Sequence, residues 1–79
     1  MADKRLWIAT SLDGRTVDIF PAWENTLGQD LADCRSLKAN ILGVFDDLKR
    51  SRKMGAEILM AMRAEALVEQ AKKIAEVVR

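Results

Sequence analysis

Four bases within five residues, Lys49-Arg50-Ser51-Arg52-Lys53, form the sharpest polar feature of this chain. Cations packed this densely can contact phosphates of a nucleic acid, each neutralised charge contributing through counterion release. The plainer reading is a solvated turn whose bases complement the negative C-terminal end of a preceding helix. It is preferred, because the net charge is only +1 and no aromatic residue interleaves the bases. Arg15 and Lys38 add two further cations with which the basic run could hold a small anionic ligand between subunits.

The remaining reactive side chains are sparse. The chain has one cysteine, Cys34, and no histidine, so no base is at hand to activate the thiol and the usual zinc sites are excluded. Cys34 falls on an apolar stripe and reads as a small buried hydrophobe. Asp46 and Asp47 are adjacent, and neighbours on a helix point about 100° apart, so they form no acid/base pair. Asp30 and Asp33 share a helix face but are better read as complementing a helix N-terminus than as a metal site. Leu12-Asp13-Gly14-Arg15 lacks the glycine-rich cradle of a phosphate loop. No catalytic set, cofactor site or metal site emerges, and an enzyme is not expected.

What remains is apolar. Trp7, Phe20 and Trp23 bracket the first third, and Met54, Met60 and Met62 cluster further on. Tryptophan is enriched at binding hot spots and methionine at adaptable surfaces, so these six are the candidate partner-binding residues. Lys49, Arg50, Arg52 and Lys53 are the candidate nucleic-acid or anion contacts.

These residues need a scaffold. At 79 residues the chain is one domain, 1–79, near the size where a single core suffices. A disulfide within the chain is impossible, which leaves self-association as the route to added stability. A lone thiol, no signal-peptide pattern and no uninterrupted apolar span point to a cytoplasmic protein with no membrane contact. Charge is unevenly placed: residues up to Leu48 carry a net −3 and those from Lys49 onward +4, which lets oppositely charged segments of two subunits pair.

Residues 6–20 alternate around Asp13-Gly14, a type I′ hairpin signal. A two-residue turn there sets Ile8 opposite Ile19 and Trp7 opposite Phe20, with Leu6, Ile8, Val17 and Ile19 on one face. Pro21 is expected to end the second strand. Thr26 with Gln29 forms a capping box for a first helix over 26–50, with Leu27, Leu31, Cys34, Ile41, Phe45 and Leu48 as its stripe and the stem of Lys38 laid along it. A second helix over 54–78 carries Met60, Ala64, Leu67, Ala71, Ile74 and Val78 at heptad spacing. A turn near 50–55, with Gly55 closing the first helix, separates the two; one long bent helix is the alternative.

The expected fold is therefore α+β and mostly helical: a β-hairpin followed by a long helical hairpin, assembled as a homodimer or higher oligomer, with hairpins pairing across the interface. The expected function is a non-enzymatic protein-protein interaction module that acts as adaptor, assembly factor or inhibitor of a partner protein. A nucleic-acid-associated regulator is the alternative.

Overall fold

The computed structural model describes residues 3–77, so the expected helix end at Val78 lies outside it. The protein is α+β, in the order β1 (Arg5–Ser11), β2 (Asp18–Trp23), a 3-10 turn (Glu24–Thr26), α1 (Leu27–Ser36), β3 (Asn40–Phe45) and α2 (Leu48–Val77). The strands form one antiparallel sheet in the order β2-β1-β3. β1 is central, with its second edge taken by β3 of the same chain, so the free edges of the sheet are those of β2 and β3.

Ile8 and Ala9 are adjacent on β1, point to opposite faces, and are both fully buried. The sheet is therefore covered on both sides. On one face Ile8 and Ala22 pack with Cys34 of α1 and Ala39, and Leu6, Phe20, Leu27, Leu31 and Ile41 close around them. On the other face α2 crosses at close range. A Cβ placed on Gly55 would lie 3.0 Å from both the Ala9 Cβ and the Val17 Cγ1. Burying a side chain the size of Ile8 contributes about 1.5–3 kcal/mol, so the double cover of β1 is a main source of stability.

The hairpin register is one residue away from the expected one. Ile8 pairs with Phe20, Trp7 with Pro21 and Ala9 with Ile19. The cause is the loop, which spans residues 12–17 rather than two residues. Asp13 Oδ1 accepts the backbone N–H groups of Arg15 (2.8 Å) and Thr16 (3.0 Å), and Gly14, at φ 71°, donates its N–H to Ser11 Oγ. A one-residue slip exchanges faces: Phe20 joins Ile8 on the α1 side, and Ile19 joins Ala9 on the α2 side. Pro21 lies within β2 instead of ending it; β2 is an edge strand, where a missing donor is tolerated.

The first helix stops at Ser36, not residue 50. Lys38 takes the left-handed conformation (φ 61°), its N–H donating to the Arg35 carbonyl and that of Ala39 to the Cys34 carbonyl at 3.1 Å. That is a Schellman termination with lysine where glycine is usual, so the Lys38 stem does not lie along a helical seam. Asn40–Phe45 is a strand, with a register irregularity where Ala9 pairs with Gly43 and Thr10 with Ile41. At the start of α1 Thr26 is the N-cap residue, but the capping box does not form: its hydroxyl donates to Asp30, and Gln29 donates to Asp33.

No turn occurs at 50–55. Asp47 caps a new helix there, its Oδ1 accepting the Lys49 N–H at 2.9 Å, and α2 runs unbroken for 30 residues. Its length is roughly 45 Å at 1.5 Å per residue. Only its first half touches the sheet. The radius of gyration is 15.9 Å, against about 12 Å for a compact chain of this length. The excess is the distal half of α2, which projects past the loop end of the hairpin.

Candidate functional site

The two halves of α2 present different apolar faces. In residues 48–59, Leu48, Ser51, Met54, Gly55, Ile58 and Leu59 are buried or half-buried, as a 3.6-residue period requires of a side laid on the sheet. From Met60 to Ala75 every residue is exposed. The apolar residues there are Met60 (69% exposed), Ala64, Leu67 (66%), Ala71 and Ile74 (59%), with Val68 (55%) at their flank. At about 100° per residue this second stripe sits roughly 160° around the helix from the first. It faces away from the protein's own sheet, and continuation of the sheet-facing side is polar, with Glu65, Glu69 and Lys72.

The candidate partner-binding residues are consequently dispersed. Phe20 packs into the α1-side core. Trp7 and Trp23 are on the opposite face of the sheet, where the Arg5 guanidinium lies 5.0 Å from the Trp7 ring centre and 4.6 Å from that of Trp23. This cation–π sandwich ties the open end of the hairpin and gives both tryptophans a structural role. Met54 is half-buried on the sheet-facing side, while Met60 and Met62 are exposed on opposite sides of α2. No methionine groove exists among them. Leu67 and Ile74, the largest exposed members of the outward stripe besides Met60, were marked by heptad spacing but not by residue type.

The basic run is also relocated. Lys49, Arg50, Arg52 and Lys53 are all exposed and occupy the first turns of α2, while Ser51 between them is buried. They stand at the positive end of a helix, not the negative one, where like charge is mildly unfavourable. By the same helical angles Lys49 and Lys53 point outward in line with the distal stripe, and Arg50 and Arg52 lie on either side of it. Arg15 is in the hairpin loop and Lys38 in the turn after α1, both exposed.

The other polar candidates have structural partners. Asp47 is the N-cap of α2, and Asp46 makes an exposed ion pair with Lys4 at 3.4 Å. Cys34 is buried, and desolvation together with Asp30 and Asp33 pushes its thiol pKa up, which holds it protonated at neutral pH. Asp13, held by backbone N–H groups, has its pKa lowered. Among the described residues no group of three or more His, Cys, Asp or Glu is placed to hold a metal ion. No helix among them is long and apolar enough to cross a membrane. A shallow hollow beside Met62, Glu65 and Lys72 is lined by α2 alone and has no second wall.

The outward face of α2 is thus an extended apolar surface that the fold leaves uncovered; elsewhere among the described residues the exposed large apolar side chains are Leu12, Trp23, Leu37 and Val44. Protein-family models, curated proteins and solved structures all return no match to this chain.

Proposed function

We propose that this protein is a non-enzymatic, cytoplasmic protein-binding module whose recognition element is the projecting half of α2. The observation that carries the reading is the change of apolar face near Met60: the N-terminal half of the helix holds the fold, and the distal half displays Leu67, Val68 and Ile74 to solvent. Amphipathic helices of this kind dock against apolar surfaces through residues spaced at three and four. The module then works as an adaptor, assembly factor or inhibitor by presenting this helix. The test is affinity capture from the native host with the wild-type chain and Leu67→Glu as paired baits. Loss of specific partners from the Leu67→Glu bait, with its circular dichroism unchanged, is the expected result; identical capture by both baits would refute the reading.

A second reading has its own observation. Four exposed cations at the positive end of α2 do nothing for helix stability, and a phosphate backbone would be a suitable ligand for them. In that case duplex affinity falls steeply with salt, and reversing Arg50 and Arg52 to Glu abolishes it. Absence of binding at low ionic strength eliminates this alternative.

A further inference from the structure

We infer that the partner seated on the 60–75 stripe is a second copy of this chain, docked antiparallel. The inference rests on reading that stripe as a protein-binding surface and identifies its occupant. Along the outward face large and small residues alternate strictly: Met60, Ala64, Leu67, Ala71, Ile74. In a parallel, in-register pair each residue meets itself, so layers of two alanines alternate with layers of two large side chains and packing is uneven. In an antiparallel pair Leu67 meets the partner's Ala71, and Ala64 meets the partner's Ile74, so each such layer joins one large and one small residue. That is the arrangement in which facing side chains interdigitate. Val68 then flanks the partner's Val68, and Ala61 the partner's Ala75, which extends the apolar contact.

Charge discriminates in the same direction. Upstream on the same outward side lie Arg50, Lys53 and Glu57, all exposed. A parallel pair would set each of the three against its own copy, like charge facing like charge. The antiparallel overlap, centred between Val68 and Gln70, leaves them outside the contact. The folded bodies also clear one another: each sheet lies on the side of α2 away from the stripe, at the opposite end of the paired helices. An overlap of about two heptads is small beside the roughly 1,200 Å² at which stable interfaces begin, so the dimer is reversible and concentration-dependent.

Analytical ultracentrifugation of the full chain over micromolar to sub-millimolar concentrations tests the association, and cysteine crosslinking tests its direction. The expected results are a monomer–dimer equilibrium that Leu67→Glu weakens by more than about a hundredfold, the counterpart of losing two buried leucines, one from each chain. Leu67 is exposed in the single chain, so this variant folds. Gln70→Cys, next to the centre of the overlap, forms an oxidised dimer, whereas Arg63→Cys, displaced from its own copy by some three turns, does not. A strictly monomeric chain, or equal crosslinking of Arg63→Cys and Gln70→Cys, overturns the proposal. A monomer that still captures other proteins in a Leu67-dependent way overturns self-docking and leaves the binding surface itself standing; loss of both removes both.

Discussion

Ser51→Ala should make this protein more stable. Ser51 is fully buried between α2 and the sheet, and its Oγ has no hydrogen-bond partner. A buried hydroxyl without a partner carries a desolvation cost of about 1–3 kcal/mol. Alanine removes that cost and is a better helix former than serine by about half a kcal/mol. Against this, deleting one atom forfeits a few contacts of roughly 0.1–0.2 kcal/mol each. The net expectation is a gain of about 1–2 kcal/mol, or roughly 5–15 °C in Tm for a domain of this size. Urea unfolding at low micromolar concentration, followed by tryptophan fluorescence, measures it while keeping self-association out of the comparison. A higher midpoint at unchanged slope is the predicted outcome. If Ser51→Ala is less stable than wild type, the hydroxyl has a partner and the description of the α2–sheet contact is wrong.

Four further substitutions bear on the fold. Gly55→Leu forces a side chain into the Ala9–Val17 contact and should cost about 3 kcal/mol or more, whereas Gly28→Ala, which meets nothing within 4 Å, should gain up to about 1 kcal/mol; thermal melts of the pair report the opposite signs. Lys38→Gly relieves the left-handed lysine at the end of α1 and should stabilise by about 0.5–1 kcal/mol, measured in the same melts. Asp13 has a lowered pKa, so its contribution is complete above the ordinary carboxylate range and is lost as pH falls through the lower folded-state value. Acid titration should show a stability loss in that range that Asp13→Asn flattens, and a parallel profile for the variant would contradict the role given to the loop.

Residue pattern made some of this architecture legible and hid the rest for identifiable reasons. The hairpin was visible in the alternation on either side of Asp13-Gly14. Its register was not, because Asp13 builds a wider loop by binding the Arg15 and Thr16 amides, and no residue type distinguishes that from a two-residue turn. The break after Ser36 was masked because Lys38 occupies the left-handed position that glycine or asparagine normally marks. Asn40–Phe45 was absorbed into a helix because Ile41, Phe45 and Leu48 also fit a spacing of four and three; a short apolar run carries both periods. Gly55 looked like a helix end, yet it is a close-packing position inside the first half of α2. The heptad after Met60 was plain in the spacing, but only the fold showed that it turns away from the sheet. Reading site residues from type alone selected methionines and aromatics, of which Phe20 and Met54 serve the interior.

In the proposed assembly α2 does two jobs on two faces, holding the fold before Met60 and binding a second copy after it. Amide hydrogen exchange at a low and a high protein concentration measures this most directly. Amides of residues 51–59 should be protected equally at both concentrations. Those of residues 62–75 should exchange quickly when dilute and slow markedly when concentrated, and Leu67→Glu should erase that difference. Exchange in 62–75 that is independent of concentration in the wild-type chain would contradict the account.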